Sequence, residues 1–152
     1  MIWNRQKKVR VASGELEKFL GRIEKELRVG KQGVTVCFVG DAEIARMNKE
    51  FRGKTGPTDV LSFPAKEKQW RGKKKRAEKK KDAHERDSYL GDIAIAPSVA
   101  RRYAKKNGRT LDSELRVLIL HGVLHLLGYD HETDRGEMDR IEQRMRRRFG
   151  LA

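Results

Sequence analysis

Cysteine is nearly absent from this chain: Cys37 is the single one among 152 residues. A lone thiol cannot close an internal disulfide. Its seat in the apolar run Val34-Thr-Val-Cys-Phe-Val39 marks it as a small buried hydrophobe in a reducing compartment. Long apolar stretches are missing as well. No window approaches the roughly 20 residues that a membrane span requires, and the opening Met1-Ile-Trp-Asn-Arg5 lacks the apolar core of a secretory leader. A soluble, cytoplasmic protein is expected. Acid is in short supply: 36 Lys and Arg face 22 Asp and Glu, a formal net charge of +14. That excess favours polyanions such as nucleic acid or a ribosomal surface, although a solvated basic surface with no dedicated ligand would carry the same charge.

The length is that of one domain, 1–152, enough to bury a core without a structural metal. Strands are expected at 2–4, 34–39, 59–63 and 90–96, the third stopped by Pro64. Helices are expected from an N-cap at Ser13 to about Leu27, from a cap at Asp41 over 42–51, and from Pro97 to about Asn107. Two more should run from Asp112 to Gly128 and from about Asp134 to Phe149. Strands that all precede a long helix in the C-terminal half suggest an α/β layered domain, with one small mixed β-sheet flanked by helices.

One segment departs from this pattern. Residues 66–82 hold ten Lys or Arg against three acids and almost nothing apolar, too little to fold alone. Residues 65–88 are therefore read as a solvated basic insertion between two strands, helical in part over 73–85. Two roles stay open for it: a charged hairpin tip that aids solubility, or an electrostatic arm that grips RNA phosphates.

Histidine is scarce too, yet three of the four fall within eleven residues: His121-Gly-Val-Leu-His125-Leu-Leu-Gly128-Tyr-Asp-His131. His121 and His125 are four apart, one turn of the same helical face. Gly128 permits a left-handed helix end, after which the chain can return and bring His131 to the same point. Three neutral imidazoles on zinc leave a fourth position for water, the arrangement of a catalytic site. His121, His125 and His131 are thus the candidate metal ligands, for one Zn²⁺ with an open coordination position. His84, in the basic insertion, is taken as solvated.

The spacing matches the zinc segment of metzincin proteases, with one departure. Those enzymes place glutamate, the general base, directly after the first histidine; here that residue is Gly122, which can accept no proton. Peptide hydrolysis becomes a minor alternative. Metal-assisted cleavage of a phosphodiester, in which a cation offsets much of the charge, stays feasible. Asp130 and Asp92 are candidates for orienting a ligand imidazole, against plainer roles as a turn residue and a strand-end residue. Arg52, between a helix end and the loop Gly53-Lys-Thr-Gly-Pro57, could clamp a phosphate or simply complement the helix dipole.

Three stretches taken together carry a family likeness. Phe51-Arg-Gly-Lys54 with Pro57-Thr-Asp-Val-Leu-Ser-Phe-Pro64, then Leu90-Gly-Asp-Ile93, then the histidine segment occur in this order. From about residue 34 to 145 the chain resembles the bacterial YbeY family of single-strand-specific endoribonucleases. The resemblance implies maturation of rRNA, particularly the 3′ end of small-subunit rRNA, and ribosome quality control. It implies His121, His125 and His131 as metal ligands, with Arg52 and His121 as the catalytic pair. It also suggests an Era-type GTPase, a PhoH-like ATPase and a small-subunit ribosomal protein as partners. The insertion 65–88 is longer than the family leads one to expect. Two rival readings remain beside it: a ribosome-assembly or RNA-binding factor whose metal site does no chemistry, and a zinc peptidase. Whether water or the RNA 2′-hydroxyl attacks is open, as are the cleavage sites and the oligomeric state.

Overall fold

The computed structural model describes residues 1–29, 33–65 and 89–151. The expectations for 66–88, including the basic arm and His84, lie outside the described residues.

Among the described residues four strands form one mixed sheet: β1 (Ile2–Asn4), β2 (Gly33–Phe38), β3 (Val60–Pro64) and β4 (Tyr89–Ile95). Their order is β1-β2-β4-β3. β1 runs parallel to β2 and β2 parallel to β4, whereas β3 lies antiparallel along the outer side of β4. Pro64 does not stop short of the sheet as expected; it is the last residue of β3, in register with Gly91. A proline supplies no N–H to a ladder, so it is tolerated there because β3 is an edge strand.

Five helices accompany the sheet among the described residues: α1 (Ser13–Glu26), α2 (Asp41–Arg52), α3 (Pro97–Lys106), α4 (Leu111–Leu126) and α5 (Glu137–Arg148). The strand alternation sorts side chains onto two faces. Val34, Val36 and Phe38 of β2 and Ile93 and Ile95 of β4 point into the main core with Leu16, Phe19, Leu20 and Ile23 of α1 and with α4. Cys37 and Ala94 alternate to the other face, against a smaller cluster that includes Ile44 of α2, Leu61 and Val99.

α4 is the central element. It packs on α1, α3, α5, β3 and β4, and its buried residues fall on nearly every side, from Leu115 through Leu118, Ile119 and Val123 to Leu126. A helix apolar all round belongs inside a layered fold. Its start is fixed by Thr110, whose hydroxyl accepts the Ser113 N–H at 3.1 Å. Among the described residues no helix is long and apolar enough to cross a membrane.

Four helix starts differ from expectation, α4 opening at Leu111, one residue before Asp112. Ser13 and Asp41 are first-turn residues; Ala12 and Gly40 hold the cap positions, neither with a side-chain cap bond. α5 begins at Glu137 rather than near Asp134, because Gly136 (φ +93°) turns the backbone left-handed just before it. Asp134 still serves that start: its carboxylate accepts the N–H groups of Gly136 at 2.8 Å and Met138 at 2.9 Å. Those two bonds hold the Asp134 carboxyl below its usual range.

Candidate metal centre

α4 delivers His121 and His125 to one face, and its end delivers the third imidazole. Gly128 adopts φ +100°, and Tyr129 N–H returns to the Leu124 carbonyl at 3.1 Å. This left-handed termination satisfies the last carbonyls and reverses the chain. The turn that follows is held by Asp130, whose carboxylate accepts Glu132 N–H at 3.0 Å and whose carbonyl accepts Asp134 N–H at 3.1 Å. His131 rides on this turn.

The three rings gather. The His121 and His125 centroids are 4.5 Å apart, His121 and His131 lie stacked at 5.3 Å, and His125 and His131 are 6.1 Å apart. His121 Nε2 faces His125 Nε2 at 3.0 Å. The half-buried His125 is pushed below the ordinary histidine range, first by burial and then by the imidazoles of His121 and His131. That direction favours the neutral form, the one in which imidazole binds a metal.

A residue not anticipated from the sequence completes the cluster. Glu142 of α5 is only 8% exposed, and its Oε1 lies 2.8 Å from His121 Nδ1. The hydrogen bond to His121 is the main reason its carboxyl sits below the usual range, with burial opposing. Ligand atoms of His121, His131 and Glu142 all lie within 4.8 Å of one another, so this trio could hold a metal ion. His121 thus has a neighbour at each nitrogen: Nε2 meets His125 Nε2, and Nδ1 meets Glu142 Oε1. The sequence did carry a signal for Glu142. It occupies the apolar stripe of α5, four residues after Met138 and three before Met145, both buried. An acid in such a stripe needs a partner.

The other anticipated residues lie elsewhere. Asp92 accepts a short hydrogen bond from the Tyr89 hydroxyl, whose oxygen accepts in turn from the Thr35 hydroxyl at 2.9 Å. Asp130 shapes its turn. Arg52 is the exposed last residue of α2, followed by Gly53 at φ +65°. Beside it, Phe51 meets Phe63 edge to face at 5.2 Å. Both rings help line a cavity of about 190 Å³ with Arg5, Glu43, Met47 and Asp92. Two of the three sequence signatures, around Phe51 to Phe63 and around Asp92, therefore meet at one hollow. Cys37 also lines it and is half-buried rather than fully enclosed; burial pushes its thiol up.

A mixed sheet whose central helix brings imidazoles and a buried carboxylate to one point defines an α/β protein with a candidate metal centre. Comparison with known proteins gives the class a name. The family model described as Endoribonuclease YbeY matches residues 1–150. The chain is 41% identical over 136 residues to the Endoribonuclease YbeY of Solibacter usitatus, covering 90% of this chain and 78% of the relative. It is 40% identical over 151 residues to that of Koribacter versatilis, covering 99% and 86%. The solution structure of a Thermotoga maritima protein superposes with a TM-score of 0.58 at 28% identity, covering 95% of this chain and 85% of the other. The chain belongs to the YbeY family of endoribonucleases. It is accordingly a hydrolase that acts on RNA.

Proposed function

We propose that the protein is a metal-dependent, single-strand-specific endoribonuclease of rRNA maturation, acting at the 3′ end of small-subunit rRNA and in ribosome quality control. The observation that carries this reading is the convergence of His121, His125 and His131, with two Nε2 atoms 3.0 Å apart. Two nitrogens on one tetrahedral zinc, each at 2.0–2.1 Å, stand about 3.3 Å apart. The donor set is nitrogen-rich, which suits zinc. His121, His125 and His131 would hold one Zn²⁺ and leave it an open position. When bound, such an ion offsets charge on a phosphodiester and lowers the cost of forming hydroxide near neutral pH.

The rest of the chemistry belongs to the chain. Exposed Arg52 can take two non-bridging phosphate oxygens by two parallel hydrogen bonds and offset charge as the phosphorus becomes five-coordinate. The basic segment 66–82 adds ten cations that attract the RNA backbone. His121 is the ligand with a carboxylate behind it and a catalytic residue in this reading. The cellular setting is the cytoplasm and the small ribosomal subunit, with an Era-type GTPase, a PhoH-like ATPase and a small-subunit ribosomal protein as partners.

The test is metal analysis of purified protein paired with cleavage of single-stranded RNA by wild type and His125→Ala. One zinc per wild-type chain and loss of cleavage in a folded variant are expected. Full cleavage by a folded, zinc-free variant would overturn the metal-dependent reading, and no cleavage by zinc-loaded wild type would leave an assembly factor. Products ending in a 5′-phosphate and a free 3′-hydroxyl would exclude the 2′-hydroxyl as nucleophile; a cyclic phosphate would identify it.

A further inference from the structure

Glu142 is the buried acid that no sequence motif announced. It sits on α5, 21 residues beyond His121, and reaches back to His121 Nδ1 at 2.8 Å. Burying a carboxylate is costly unless it is paired or hydrogen-bonded. Its seat in the Met138–Met145 stripe of α5 is otherwise apolar. A proton on His121 Nδ1 would supply the bond it needs. The same ring turns Nε2 toward His125 Nε2. Nδ1 cannot both donate to Glu142 and bind an ion, so a hydrogen bond from Nδ1 to Glu142 and an ion on Nδ1 are alternatives.

We propose that Glu142 is a positioning residue: it accepts the Nδ1–H of His121, fixes that tautomer and ring orientation, and so presents Nε2 to a cation shared with His125 and His131. This rests on the zinc reading above and specifies which nitrogen of His121 faces the ion. Carboxylates in this role raise the basicity of a ligand imidazole, and their loss costs about 10–100-fold in metal affinity. The role also ties α5 to the metal centre, because the acid comes from a different helix than its imidazole.

The experiment uses the full chain, stripped of metal, with zinc alone as the probe in competition with a chelator of known affinity. Wild type, Glu142→Ala, Glu142→Gln and His125→Ala are compared. Two-bond ¹⁵N–¹H correlations of the metal-free proteins report which His121 nitrogen carries the proton. Glu142→Ala should weaken zinc binding about 10–100-fold and lose the uniform Nδ1–H tautomer. Glu142→Gln should recover part of the affinity and keep the tautomer, because its amide oxygen accepts the same N–H. That variant keeps the test valid even if Glu142→Ala folds poorly. Wild-type zinc affinity in folded Glu142→Ala, or a proton on Nε2 of His121 in wild type, would overturn the proposal. So would a His125→Ala variant that binds zinc like wild type, since Glu142 would then be a ligand on the Nδ1 side. A wild-type chain that takes no zinc fails the zinc reading itself and this proposal with it. That outcome is told apart by the wild-type titration alone.

Discussion

Gly122 lies flush against Ile93. A β-carbon built at 122 would stand 2.7 Å from Ile93 Cδ1 and 3.0 Å from both Cγ atoms. Ile93 is fully buried on β4, so the whole branched side chain would have to move. The missing glutamate of the protease pattern thus has a packing cause: position 122 faces the sheet. Gly122→Ala should destabilise the fold by about 1–3 kcal/mol, measured by chemical denaturation. Gly122→Glu should cost more and yield no metal-dependent peptide cleavage. A stable Gly122→Glu protein that hydrolyses peptides would contradict this account.

Gly91 should be still less replaceable. Its φ is +150°, and a β-carbon there would stand 2.4 Å from the Phe63 carbonyl oxygen and 2.8 Å from Leu126 Cδ2. The first of these is backbone of the neighbouring strand, which cannot rotate away. Gly91→Ala is expected to cost roughly 3 kcal/mol or more through combined strain and overpacking. A melting temperature within a degree or two of wild type would refute it.

Tyr89 should titrate late. Burial, followed by its hydrogen bond to Asp92, pushes the phenol from 10 up to about 12. In the unfolded chain it ionises near 10, so between about pH 10 and 12 the folded state holds the proton more tightly. Tyr89's contribution to stability is therefore complete below pH 10 and is lost as pH rises through that window. Phenolate absorbance on alkaline titration should show a late phase that Tyr89→Phe removes. Three tyrosines titrating together near pH 10 would speak against it.

RNA binding should weaken steeply with salt. Each phosphate contact to a single strand adds about 0.7 to the slope of log affinity against log salt concentration. Arg52→Ala should lower the slope by about that amount while leaving zinc content unchanged. Deleting 66–82 should flatten it further if those ten cations touch RNA. An unchanged slope after the deletion would retire the segment as an RNA-binding element.

Much of the fold was legible because local signals agree with tertiary need. The β-branched run at 34–39, the Pro97 start and the apolar length of α4 each report a position that the core enforces. The histidine segment was legible because helical spacing and one glycine suffice to bring three rings together. Helix starts were less so, since Ala12 and Gly40 hold cap positions without a side-chain bond. The partner of His121 was missed for a different reason. Proximity in sequence pointed to Asp130, while the carboxylate comes from a helix whose docking follows from core packing of Met138 and Met145. Nothing local in residues 121–131 encodes that approach.

The sheet's outer strands also govern how the molecule meets its own copies. β1 offers three residues, and β3 ends in Pro64, opposite Gly91. A neighbouring chain seeking to extend the sheet finds a short ledge on one side and a ladder with a missing rung on the other. Among the described residues, such blunted borders discourage edge-to-edge stacking.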